Sequence, residues 1–225
     1  MRVSDERLLA LFAKAPLPGQ VKTRLAAQTS EPFAVALADA LLRDCVQRYQ
    51  TVADRRLVLF TPAENETWFR EVAGSAFALE AQADGDLGAR LAALFAKHAT
   101  GGRRVIALGT DSPNLPRDWV GQAFAQLSEA DAVLGPAVDG GYYLIACRGF
   151  FPALFDSDGW GGPSVLGQTV ARAQRLGLRL SLLPPWYDVD TLDDCRFLKQ
   201  HLQAQRLAGI DPACQRTEAL LRDLP

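Results

Sequence analysis

Apolar residues in this chain fall into short uncharged runs that alternate with segments of helical spacing. The first run, residues 8–13, predicts a buried strand, and it empties into a loop carrying Lys14, Pro16, Pro18 and Gly19. Ser30 and Pro32 then open a stretch in which Phe33, Leu37, Ala40, Leu41 and Cys45 recur at helical spacing, predicting a capped helix over 31–50. A second strand is expected over 57–60. Thr61-Pro62 reads as cap plus first-turn proline of a short helix bearing Trp68, Phe69 and Val72. A third strand over 77–81 leads to Gly85-Asp86-Leu87-Gly88 and to a helix with Leu91, Leu94 and Phe95, stopped by Gly101-Gly102. The next strand, 104–108, runs into Gly109-Thr110-Asp111-Ser112-Pro113 and a helix over 117–128. Two strands, 132–134 and 142–146, flank Gly135-Pro136 and Asp139-Gly140-Gly141. A helix from Pro163 to Leu176, a strand over 178–183 and a helix capped by Thr191 complete the pattern. The stretch after Asp211-Pro212 reads as a loosely attached short helix.

Strand and helix alternate without repeat or linker, which predicts one α/β domain over 1–225. Its expected form is a three-layer α/β/α sandwich around a mostly parallel, mixed sheet. The interruption at 135–143 predicts a local departure from strict alternation. With 48% hydrophobic and 22% charged residues, the chain of 225 residues can bury a substantial core. A formal charge of −2 excludes a nucleic-acid coat, so any phosphate must be bound by a few placed cations and backbone N–H groups. Cys45, Cys147, Cys195 and Cys214 form no C-x-x-C pair and read as buried thiols of a cytoplasmic protein. With only His98 and His201 available, neither a zinc site nor a hydrolytic triad has the residues it needs. Acidic residues ahead of a short apolar run argue against a signal peptide, and no run approaches a membrane span. Exposed Trp and Phe in the second half permit a homodimer.

Ligands of open α/β sheets sit outside the carboxyl ends of the strands. There the chain places Lys14, Lys22 and Arg24 after the first strand, Asp111 after a central one, Asp139 before another, and Asp188 and Asp190 after the last. Magnesium is commonly held by one or two carboxylates plus substrate phosphates. Asp111 and Asp190 are the candidate ligands for Mg²⁺ (or Mn²⁺), with Asp188 the alternative to Asp190. Lys14, Gly19, Lys22 and Arg24 are the candidate phosphate binders, Lys22 also stabilising the leaving group. Gly85, Asp86 and Gly88 form a second candidate anion contact at a helix start, where Asp86 reads equally as a plain N-cap. Asp139, between permissive glycines, is a candidate base or simply part of a hairpin turn. Trp160-Gly161-Gly162-Pro163 is expected to be a loop whose aromatic could pack on a sugar or base. No P-loop, dinucleotide fingerprint or nucleophile elbow occurs in the sequence.

KAPLPGQVKTRL, GDLGARL, GTDSPNLP, GPAVDGGYYLIA and DVDTLDD, in that order, resemble the glycosyltransferase-like family called rSAM/selenodomain-associated transferase 1. The resemblance runs from about Leu8 to Leu198. It implies the GT-A, nucleotide-diphospho-sugar transferase (Rossmann-like) fold, and a likeness to phospholactate guanylyltransferase and, more distantly, molybdenum-cofactor guanylyltransferase. Some members are described as arsenosugar-biosynthesis glycosyltransferases. It further implies that Lys22 and Arg24 meet nucleotide phosphates and that Asp111 and Asp190 hold a metal. Two departures stand out. Leu192 and Asp193 replace Pro and Glu of the relatives' D-T-P-E-D, and a Pro-x-Pro-Gly turn replaces the Gly-rich first loop of sugar nucleotidyltransferases. Two chemistries stay open: glycosyl transfer from a sugar nucleotide to a small-molecule acceptor, and nucleotidyl transfer from an NTP to a phosphorylated acceptor with release of pyrophosphate.

Overall fold

The computed structural model describes residues 5–156, 162–222 and 224. Its centre is a seven-stranded sheet in the order β3-β2-β1-β4-β6-β5-β7. The strands are β1 (Arg7–Lys14), β2 (Arg55–Thr61), β3 (Ala78–Ala81), β4 (Arg104–Gly109), β5 (Ala132–Pro136), β6 (Tyr142–Cys147) and β7 (Leu180–Leu182). Neighbours pair in parallel except β6, which runs antiparallel to both β4 and β5. The reversal falls at the expected interruption, because a short turn can return the chain only in the opposite direction.

The helices are α1 (Thr23–Gln28), α2 (Glu31–Tyr49), α3 (Glu66–Ala73), α4 (Leu87–His98), α5 (Arg117–Gln126), α6 (Val165–Arg175), α7 (Leu192–Leu207) and α8 (Gln215–Leu221). Strand residues alternate between two cores. Leu9, Leu11, Val58, Ile106 and Leu144 meet α2, α3 and α5 on one face. Leu8, Ala10, Leu59, Val105 and Ile145 meet α4 and α6 on the other. A third cluster lies outside the sheet: Leu25, Leu37 and Leu41 of α1 and α2 pack on Leu198 and Leu202 of α7 and Leu221 of α8. Helix α2 therefore buries one stripe against the sheet and a second against α7 and α8.

Four local expectations are corrected. Thr61 ends β2 rather than capping a helix; Pro62 leads a single 3₁₀ turn, Ala63–Asn65, and α3 begins only at Glu66. The short helix α1 has no apolar stripe of its own beyond buried Leu25, so periodicity could not reveal it. The last strand is shortened to three residues by the length of its pairing with β5. The C-terminal helix is firmly docked: the carboxylate of Asp44, 1% exposed on α2, accepts the backbone N–H groups of Thr217 at 2.8 Å and Arg216 at 3.3 Å. Of the 160–163 loop, Trp160 and Gly161 lie outside the described residues.

Candidate active site

All the parallel strands point their carboxyl ends at one edge of the sheet, and β6 starts there. The loops after β1, β4 and β7 consequently converge. Between them lies a cavity of about 220 Å³ lined by Lys14, Gln20, Lys22, Thr110, Asp111 and Asp190, floored by Phe12 and Leu42.

The Lys22 ammonium occupies the centre. It donates to Asp111 Oδ1 and, at 2.8 Å, to Asp190 Oδ1. Its side chain is 6% exposed, against 47% for Asp111 and 30% for Asp190. Arg24 Nη2 donates to the other Asp190 oxygen, Oδ2, at 2.5 Å. Burial alone would lower the pKa of Lys22, but the two carboxylates outweigh it and hold the ammonium above the ordinary lysine value. For Asp190, burial pushes the carboxyl up, and Lys22 and Arg24 more than reverse this, leaving it below the usual range. Lys22 is also the N-cap of α1 and holds a left-handed backbone, φ 46° and ψ 42°, which is unusual outside glycine.

The aspartates are placed by backbone bonds independent of Lys22. Val189 N donates to Asp111 O at 3.0 Å, tying the two loops together. The Ser112 hydroxyl lies 2.7 Å from Asp188 Oδ1 and 3.0 Å from the Tyr187 carbonyl. Buried Asn114 donates to the Tyr187 hydroxyl at 2.8 Å, which in turn meets His201 Nδ1 at 2.8 Å. A capping box starts α7, and Asp194 Oδ2 accepts the N–H groups of both Asp190 and Thr191. The Leu192 departure has a physical reason here. Its N–H donates to Gln28 Oε1 at 2.8 Å, a bond that proline could not make.

The remaining candidates divide. Lys14 is exposed and lines the cavity. Gly19 sits in the exposed turn before Lys22 with φ 69°, without lining it. Asp86 is an N-cap, accepting Ala89 N at 2.9 Å; it and its neighbours Gly85 and Gly88 do not border the Lys22 cavity. Between them, however, Leu87 lines a small apolar slot of about 90 Å³ with Gly109 and Tyr142. Phe12 borders both spaces. Asp139 is exposed, its Oδ1 accepting Gly141 N at 2.9 Å in a tight turn. Asp188 is pushed up to about 7, first by burial and then by the charges of Asp111, Asp139 and Asp190, against the hydrogen bond from Ser112. Sequence spacing named Asp188 only as an alternative, since nothing in DVDTLDD tells which aspartate will be buried.

Asp111 and Asp190 offer only oxygen and aim at one point, which suits a hard divalent cation of the magnesium kind. Among the described residues no group of three or more His, Cys, Asp or Glu forms a ready metal cage. Further ligands would have to be phosphate and water oxygens, and the focus is at present held by an ammonium.

A mixed sheet with helices on both faces and a charged cleft at its carboxyl edge is the fold of nucleotide-diphospho-sugar transferases and nucleotidyltransferases. Within that class the chain belongs to the family described as an uncharacterized protein conserved in bacteria (DUF2064), whose model matches residues 42–162. A protein from Desulfovibrio desulfuricans G20, provisionally named a nucleotide-diphospho-sugar transferase, is 32% identical, with a TM-score of 0.86 and 98% of each chain covered. The 4-diphosphocytidyl-2C-methyl-D-erythritol synthase of Anaerococcus prevotii DSM 20548 shares the fold at 8% identity, TM-score 0.59, over 89% of this chain and 100% of its own. A CMP:2-keto-3-deoxy-manno-octonic acid synthetase, solved with CTP, does so at 12% identity and TM-score 0.55, over 89% and 99%. No curated protein matches the sequence.

Proposed function

We propose that this protein is a nucleotide-dependent transferase that moves a glycosyl group from a nucleotide-diphospho-sugar to a small-molecule acceptor. The observation that carries the reading is the convergence of Lys22, Asp111 and Asp190 beneath the basic loop, at the strand ends where this fold receives its ligand. Phosphates entering the cavity meet Lys14 on its wall and Lys22 at its centre, with Arg24 beside Asp190 just outside it. These cations hold the diphosphate and offset the charge that builds on it as the anomeric C–O bond breaks. A Mg²⁺ or Mn²⁺ held by Asp111 and Asp190 would supply further neutralisation of that leaving group. The acceptor hydroxyl loses its proton to Asp139, whose Oδ2 is left over from the turn that occupies Oδ1. The apolar slot beside Phe12 is suited to a flat ring, such as a base or sugar face. The resemblance to a glycosyltransferase-like family and the name of the 32%-identical relative support the same choice.

Nucleotidyl transfer is the second reading. Lys14, Lys22 and Arg24 on one loop supply enough positive charge for a triphosphate, and a phosphorylated acceptor would need no base. A product assay separates the two. With Mg²⁺ and UDP- or GDP-sugars plus candidate acceptors, release of nucleoside diphosphate is expected. Release of pyrophosphate from an NTP and a phosphorylated acceptor would overturn the glycosyl reading. In either assay, Asp111→Asn should lower turnover by about 100-fold or more, the usual cost of removing one charge-stabilising group. An unchanged rate would remove Asp111 from the site.

A further inference from the structure

We propose that Lys22 is the resident cation of this site: its ammonium and a divalent metal ion are alternative occupants of the point between Asp111 and Asp190. The metal then enters only as Lys22 leaves, and the phosphates of an incoming nucleotide give Lys22 somewhere to go. This rests on the metal assignment to Asp111 and Asp190 made above, and goes beyond it.

The geometry excludes joint occupancy. Lys22 Nζ bonds one oxygen of each aspartate and so fills the point between the two carboxylates. Magnesium needs its oxygens at about 2.0–2.1 Å, so an ion at that focus would sit on top of the ammonium. Two positive centres that close repel strongly in a half-buried site.

The surroundings are arranged for exchange. Asp190 does not depend on Lys22 for its place, because Arg24 holds Oδ2 and Asp194 holds the Asp190 backbone. Asp111 is tied through its carbonyl to Val189. When the lysine moves, the Asp190 carboxylate therefore keeps its aim and Asp111 keeps its backbone position beside it. Lys22 itself follows an exposed turn, Pro18–Gln20, and its left-handed backbone is a strained conformation that a change of state can relax. Lys14, on the wall of the same cavity, marks where a phosphate would draw the ammonium.

The test uses Mn²⁺ alone, without nucleotide or turnover, so that the exchange and the transferase reading can fail separately. Mn²⁺ affinity is measured by calorimetry for the whole protein, for Lys22→Met and for Arg24→Gln. Lys22→Met should bind at least tenfold more tightly than the parent. Arg24→Gln, which removes an equal charge from the other Asp190 oxygen, should change affinity by no more than about threefold. Equal affinity for parent and Lys22→Met, equal gains in both variants, or no Mn²⁺ binding by any of them would each overturn the proposal. Should Lys22→Met not fold, amine acylation of the parent protein keeps it open to refutation. Saturating Mn²⁺ should raise the reactivity of Lys22 severalfold while leaving Lys199, on α7, unchanged, and an unaltered Lys22 would overturn it.

Discussion

At Gly140 the backbone has φ 93°, and a Cβ built there would lie 2.1 Å from the carbonyl oxygen of Pro163. That contact lets the Asp139 turn sit against the start of α6, where Leu166 N donates to Gly140 O at 3.0 Å. Gly140→Ala should therefore cost about 2–3 kcal/mol, from the unfavourable φ and the forced displacement together. Gly141→Ala, whose nearest contact is a side-chain oxygen at 3.3 Å, should cost far less. Chemical denaturation of the two variants checks this, and equal losses would show that close approach is not the reason for the glycine. Legibility at this scale followed chemistry. That Lys14, Lys22, Arg24, Asp111 and Asp190 would gather at one edge of the sheet was readable from their positions at or just past the ends of buried strands. Asp86 was ambiguous in the sequence because an N-cap and an anion contact need the same residue at the same place, and the structure shows it capping α4. The interlock of Ser112, Asn114, Tyr187 and His201 was invisible, since it joins residues far apart in the chain.

Among the elements, α2 carries the most. Its helical spacing was legible, but of the stripe it marked only Cys45 lies in the sheet-side core. Phe33, Leu37 and Leu41 face α7 and α8, a layer that single-helix periodicity cannot distinguish from the sheet, and the sheet-facing Leu42, Val46 and Tyr49 went unnamed. The same blindness made α8 look loose, because its anchor is a charged residue on another helix. Asp44 accepts two backbone N–H groups at the start of α8 and faces Arg216 at 3.5 Å. Asp44→Ala strips these bonds from a buried position and should destabilise the protein by about 2–4 kcal/mol. Hydrogen exchange should rise first over 215–221, with β1 protected until global unfolding. Glu66→Ala, in an exposed pair with Arg70 on α3, should cost under about 0.5 kcal/mol. If the two substitutions cost the same, Asp44 is not the anchor.

For the whole molecule, topology explains how a chain of net charge −2 gathers several cations at one cleft. Cations and carboxylates scattered from Lys14 to Asp190 become neighbours only because every parallel strand delivers its loop to one edge. The alternation of strand and helix made that edge legible; the left-handed Lys22 and its place between two aspartates were not, being set by side-chain packing. Among the described residues no helix is long and apolar enough to cross a membrane. The most direct test is an anomalous diffraction measurement on crystals grown with Mn²⁺ and UDP or GDP. The account predicts a manganese peak between Asp111 and Asp190, Lys22 turned away from it, and the diphosphate against Lys14 and Arg24. A diphosphate bound elsewhere, for example in the cavity of about 310 Å³ between Arg48 and Arg117 at the far end of α2, would contradict it.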